Sequence, residues 1–283
     1  MMRLPSKLAI TVLLIAVTAT VVLAQRWRRQ DPEDRQGVPV WTNEPGFEKD
    51  VFTFARIRYD SGWGGGRGRG WGGGGWAVDF RDADLNFSFR LQQLTSLKVD
   101  PEGKVLRLTD PELFNHPFIY IVEPGALEFS EDEVKALRRY LLNGGFLMVD
   151  DFWGDYQWEN LYEEMKRVFP EPGYEPRELP LEHPIFHCVF DLREKPQIPN
   201  FETGEASQRT GITWEPRHGP GTETPHYRAI FDEKGRMMVI ICHNTDLGDG
   251  WEREGVYEYY FREFSEKKAY PLGINIVFYA MTN

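Results

Sequence analysis

Acids and a tryptophan crowd one short stretch, Asp150-Asp151-Phe152-Trp153-Gly154, directly after the apolar run Phe146 to Val149. A carboxylate placed between a buried strand and the start of a helix can act as a general base or as an oxygen ligand for a hard cation. It can equally do no more than cap the helix. Two other apolar runs end in polar groups of the same kind: Phe118 to Val122 ends at Glu123, and Met237 to Cys242 ends at His243-Asn244-Thr245-Asp246. If all three runs are neighbouring strands, Glu123, Asp150, Asp151, Trp153, His243 and Asp246 form one ligand-binding rim. Within it, Asp151 or Asp150 would be the general base or metal ligand and His243 its partner. A satisfied hydrogen-bonding role serves His243 as well.

The elements that must position these groups are legible around Pro117 to Gly154. Ser130 and Glu133 have the S-x-x-E spacing of a capping box, and Val134, Leu137 and Leu141 fall on one helical face. Asn143-Gly144-Gly145 supplies a left-handed stop. The flanking runs are continuously apolar, as strands covered on both faces must be, so the unit reads as a right-handed βαβ crossover in a parallel sheet. Ligands of open α/β sheets bind beyond the carboxyl ends of such strands, which is where the acids stand. After Asp151, Trp158, Leu161, Tyr162, Met165 and Phe169 make an amphipathic stripe closed by Pro170.

Elsewhere, Val51 to Tyr59 reads as a first strand, 104–108 as a short one, and Tyr227 to Phe231 with Met237 to Cys242 as a hairpin. Helices are expected over 254–266 and 271–282, and the proline-rich segment 171–226 as insertions over the sheet. Asp79, Asp82 and Asp84 precede a helix bearing Leu85, Phe89 and Leu94. Capping by Asp82 or Asp84 explains them better than metal binding. His183 and His187 have the spacing of zinc helices, but Pro184 favours an extended segment and structural histidines. His218 and His226 have loop contexts that single out neither. Cys188 and Cys242 read as two buried thiols, and no metal or other cofactor site has diagnostic spacing. The Gly/Trp-rich tract 62–75 lacks the spacing of a phosphate loop and reads as a flexible insertion.

The chain of 283 residues carries a formal charge of −11, which excludes the basic face a nucleic-acid binder needs. Leu8 to Ala24 is uncharged and follows Arg3 and Lys7. This is the pattern of a signal peptide or, if uncleaved, a hydrophobic helix anchoring the chain in the inner membrane through residues 8–24. Residues 25–50 read as a polar tether, and 51–283 as an exported, periplasmic α/β domain.

The motifs RYDS (58–61), DADLNFSFRLQQLTSLKV (82–99), LTDPELFNHPFIYIVEPG (108–125), LLNGGFLMVDDFWG (141–154), LEHPIFHCVFDL (181–192), GRMMVIICHNTDLGDGWE (235–252) and AYPLGINIVFYAMTN (269–283) resemble the bacterial family called domain of unknown function 4159 (DUF4159). The resemblance implies a flavodoxin-like three-layer sandwich with a mostly parallel sheet, similar to class I glutamine amidotransferases and the trehalose-utilisation family. It also implies partners of the MoxR-type ATPase and von Willebrand A-domain systems. Where amidotransferases carry cysteine at the strand-turn-helix elbow, this chain has Asp150-Asp151-Phe152, so glutamine hydrolysis is not expected. A non-catalytic ligand- or protein-binding domain is the first expectation. An Asp/His hydrolase, metal-assisted or not, and a purely architectural envelope subunit are the alternatives.

Overall fold

The computed structural model describes residues 35, 37–44, 46, 50–61 and 75–283. The apolar run at 8–24 and most of the 62–75 tract lie outside the described residues. Two units separate, Met1–Pro39 and Val40–Asn283, and all elements below belong to the second. Among the described residues no helix is long and apolar enough to cross a membrane.

The second unit is an α/β structure built on a seven-stranded sheet of order β2-β1-β3-β4-β7-β6-β5. The strands are β1 (Ala55–Ile57), β2 (Lys104–Leu106), β3 (Phe118–Val122), β4 (Phe146–Asp150), β5 (Arg177–Glu178), β6 (His226–Phe231) and β7 (Met237–His243). From β2 to β7 all neighbours are parallel, and the hairpin partner β6 and the edge strand β5 pair antiparallel. The run 2-1-3-4 is consistent with a flavodoxin-like sandwich, in which ligands bind where the order reverses, between β1 and β3.

Strand alternation sends side chains to two cores. Phe118, Tyr120, Met148 and Ile240 meet α1 (Asp82–Leu94), through Phe87 and Leu91, and the C-terminal helix. Ile119, Ile121, Leu147, Val149 and Ile241 meet α2 (Glu131–Leu142) and α3 (Gly154–Val168), through Leu137, Leu141, Leu161 and Met165. The expected capping box starts α2: Ser130 accepts from the Glu133 amide and Glu133 accepts from the Ser130 amide. Gly144, at φ 106°, makes the left-handed stop.

The structure departs from the sequence reading in several places. β1 is only Ala55–Ile57, because Phe52 and Ser61 make isolated bridges to Val99 and Leu127 on either side of it. Trp41 and Asn43, read as tether, pack onto the domain by donating to the Val99 carbonyl at 2.8 and 2.9 Å. The 171–226 segment contains a capped helix, α4 (Phe201–Thr210), started by Asn200. Near the C-terminus α5 (Leu247–Glu252) is followed by α6 (Glu258–Tyr260), a π-helical stretch Phe261–Ala269 and α7 (Tyr270–Thr282) with no break at Pro271. Proline has no amide to donate, and the wider π turns before it absorb the gap.

Neither Asp82 nor Asp84 caps α1: the N-cap position is Arg81, which makes no side-chain cap bond. Asp84 instead pairs with the fully buried Arg56 of β1, Nη2 to Oδ1 at 2.5 Å. The remaining Arg56 donor, Nη1, reaches the carbonyls of Trp76 and Val78 at 3.0 and 2.9 Å. One guanidinium thus joins β1, α1 and the segment leading to Asp79. Removing one partner of such a pair leaves an uncompensated buried charge, so Arg56→Met should cost about 3–5 kcal/mol in denaturant unfolding. Arg56→Met combined with Asp84→Leu should recover most of it, an outcome a purely steric role for Arg56 would not produce.

Candidate functional site

Beyond the carboxyl ends of β1, β3, β4 and β7 lies a cleft of about 430 Å³. Tyr59, Asp79, Glu123, Asp151, Trp153, His218, Asp246, Asp249 and Arg253 are among the residues that line it. Of the expected rim, Glu123, Asp151, Trp153 and Asp246 therefore come together. Asp150 and His243 do not join them.

Asp150 is fully buried and faces α5, where its Oδ2 accepts from the amides of Leu247 and Gly248 at 2.9 and 3.2 Å and from the Tyr120 hydroxyl at 3.1 Å. It is thus a cap, contributed by β4 to a helix that follows β7. Its Oδ1 has no hydrogen-bond partner, and burial pushes the carboxyl up to about 7. His243 stacks between Phe152 and Trp158, with Nε2 3.1 Å from the Gly154 carbonyl and Nδ1 3.1 Å from Arg228. Burial, then the neighbouring Arg228, hold its ring down to about 3, so it is a neutral packing residue. His243 is enclosed by the Phe152 and Trp158 rings and does not line the cleft.

The β4 elbow is real, but it is not an anion hole. The Trp153 amide donates to Gln157 Oε1 at 2.7 Å, the Gly154 amide to Asn244 Oδ1 at 2.8 Å and the Asp155 amide to the Pro220 carbonyl at 3.1 Å. Those three donors are engaged and do not point free N–H groups at an acyl oxyanion. The N-cap residue of α3, Trp153, makes no side-chain cap bond, and the first amides are taken by Gln157 and Asn244, so Asp151 and Asp155 are not explained as its caps. Asp151 turns away from the helix and accepts from Trp153 Nε1 at 3.2 Å.

Backbone conformation aims the acids. Among the described residues, the non-glycine positions at positive φ are Asp79 (58°), Glu123 (48°), Asp151 (54°) and Asn244 (62°). Asp79, Glu123 and Asp151 line the cleft, and Asn244 braces the loops beside it through Gly154, Gly221 and Thr224. Such conformations cost about 1–3 kcal/mol each and persist where surrounding structure imposes them. Ligand atoms of Asp79, Asp151 and Asp246 lie within 4.8 Å of one another, and so do those of Asp79, Asp249 and Glu252. Burial first, and the neighbouring carboxylates second, raise Asp79, Asp151 and Asp246 well above the ordinary aspartate range. Glu123 is raised to about 7 by the cleft walls, although solvent at the mouth reaches it and weakens the effect.

Sequence reading missed Asp249, Glu252, His218, Arg217 and Arg253, and weighed Asp79 mainly as a neighbour of caps. Asp249 carried a usable signal, since Gly248 and Gly250 flank it directly after Asp246. His218 carried none. It enters the cleft because the buried Glu215 holds its Nε2 at 3.2 Å and Gln157 holds its Nδ1 at 3.3 Å. His183 and His187 are structural as expected, one accepting from the Ile185 amide and the other paired with Asp191. Cys188 and Cys242 are free thiols, with Cys188 only half-buried.

These acids make stability depend on pH with a definite sign. A carboxyl whose folded pKa lies above its unfolded value, about 3.9 for aspartate, contributes most stability below that value and loses it as pH rises through the folded pKa. His243, depressed from about 6.5, has the opposite effect below that pH. The metal-free protein should therefore gain in melting temperature as pH falls from about 8 to about 6.5, where the acids act without His243. Asp79→Asn with Asp246→Asn should flatten that slope in a calorimetric pH series; an unchanged slope would place the titration elsewhere.

No match to a curated protein is found. The sequence profile described as a domain of unknown function (DUF4159) matches residues 53–281, a span that takes in every strand of the sheet and every acid of the cleft. The chain belongs to the DUF4159 family.

Proposed function

We propose that this domain binds a small polar ligand in the acidic cleft and performs no nucleophilic acyl chemistry. The observation that carries this reading is the convergence of Asp79, Asp151 and Asp246 in an open cleft at the carboxyl edge of the sheet. The elbow supports it from the other side, because Asp151 replaces a nucleophile and the adjacent amides are engaged. Taken with the strand order, this favours an amidotransferase-like sandwich whose catalytic position has been given to a binding carboxylate.

A hydrolase is the second reading, favoured by one observation: His218 oriented by Glu215 faces the same cleft as Asp151. In that case His218, not His243, would exchange the proton. The uncharged run at 8–24 supports export and attachment to the inner membrane, and the family resemblance supports MoxR-type and von Willebrand A-domain partners there.

The test is thermal unfolding of the full chain, wild type and Asp151→Asn, against cell-wall sugars, amines, amino acids and glutamine. A ligand present at about 100 times its Kd stabilises the folded state by about 2.7 kcal/mol. The reading expects a shift of that order in the wild type and its loss in the variant. Shifts of equal size in both proteins would move the site away from the cleft, and turnover of the bound compound would favour the hydrolase.

A further inference from the structure

We propose that the acid end of the cleft is a binding site for a hard divalent cation, held by Asp79, Asp151 and Asp246. The proposal deepens the ligand-binding reading and rests on it for the role of the cation, though not for its binding.

Carboxylate clusters are common, and this one is distinguished by what does not neutralise it. Asp151 and Asp246 are 8% and 4% exposed. Asp79 Oδ2 is closed off from solvent and accepts no hydrogen bond, an arrangement that costs free energy unless a proton or a cation fills it. A Cβ added to Gly248 would collide with that same oxygen, so the first turn of α5 closes directly over it. The partners that the other acids do have are few: Asp151 Oδ1 takes the Trp153 indole and Asp246 Oδ1 takes the Asp249 amide at 2.7 Å.

The second group of acids provides an internal comparison. Asp79, Asp249 and Glu252 are equally close, but there Arg253 Nε lies 3.3 Å from Asp249 and 2.7 Å from Glu252. That group carries its own cation. Arg56 also acts on Asp79, which the two groups share, but Arg56 is already committed to Asp84 and two carbonyls, and Asp151 and Asp246 have no ion pair among the described residues. A cation with oxygen ligands at about 2.3–2.6 Å can span carboxylate oxygens at this spacing, and hard cations prefer such ligands. Three protein carboxylates leave coordination positions open toward the cleft, where oxygens of a ligand could complete the shell.

Terbium luminescence tests the site, because Trp153 is hydrogen-bonded to Asp151 and would sensitise an ion held there. The full chain, stripped with a chelator, is titrated with Tb³⁺ and then competed with Ca²⁺ and Mg²⁺. Saturable emission displaced by Ca²⁺ or Mg²⁺ is expected, with at least a tenfold weaker affinity, about 1.4 kcal/mol, in Asp79→Asn and in Asp246→Asn. Asp132→Asn, on an exposed turn of α2, should bind like the wild type. In chelator, Asp79→Asn should melt higher than the wild type because it relieves repulsion, whereas a structural acid would melt lower.

Emission that survives equally in Asp79→Asn, or that Ca²⁺ and Mg²⁺ do not displace, would overturn the proposal. So would a wild type that shows no saturable Tb³⁺ emission beside an Asp79→Asn protein that melts lower in chelator; the carboxylates would then share protons. A polar ligand that raises the melting temperature in chelator while no cation binds would sink this inference and leave the ligand-binding reading standing. Failure of both arms would remove both.

Discussion

The buried ion pair between Arg56 and Asp84 organises the acidic end of this domain. Arg56 sits in the middle of β1, where an apolar residue would pack, and its charge has to be answered inside the protein. Asp84 on α1 and the carbonyls of Trp76 and Val78 answer it, which locks the helix and the incoming loop to the strand. Asp79 follows that loop by one residue, and its direction into the cleft is a consequence. A buried pair of this kind adds little net stability over apolar packing, but it specifies geometry.

The cleft repeats the logic with the balance left open. Asp150 spends one oxygen capping α5, Asn244 spends its side-chain amide on Gly154, Gly221 and Thr224, and Gln157 takes the Trp153 amide of the elbow. Each of these satisfies a backbone group at the edge of the cleft. What stays unsatisfied is carboxylate: Asp79, Asp151 and Asp246, gathered at one edge and raised in pKa by burial and by one another. The arrangement suits capture of positive charge and does not suit stabilisation of an oxyanion.

Much of the fold was visible in the residues. The capping box at Ser130, the glycine stop at Gly144 and the apolar runs of β3 and β4 have local causes, and local causes survive in a linear reading. The same holds for the rim as a place: acids at strand ends fall at the carboxyl edge wherever the strands are parallel. Facing was less accessible. Asp150 and Asp151 are adjacent, yet one caps a helix and the other enters the cleft, because Asp150 is the last residue of β4 whereas the backbone turns at Asp151 with φ 54°. His243 and Asp246 part likewise, since His243 ends β7 and Asp246 is the N-cap residue of α5.

Sequence by itself determined the α/β class, the βαβ unit, the absence of a cysteine or serine at the elbow and the family to which the chain belongs. Tertiary structure alone decided which acids meet. Asp79 precedes Asp151 by three strands and two α-helices, Asp246 follows both across an insertion, and His218 comes from a loop without a motif. Their encounter depends on the strand order and on long-range hydrogen bonds, and no periodicity in the chain encodes pairings across such separations.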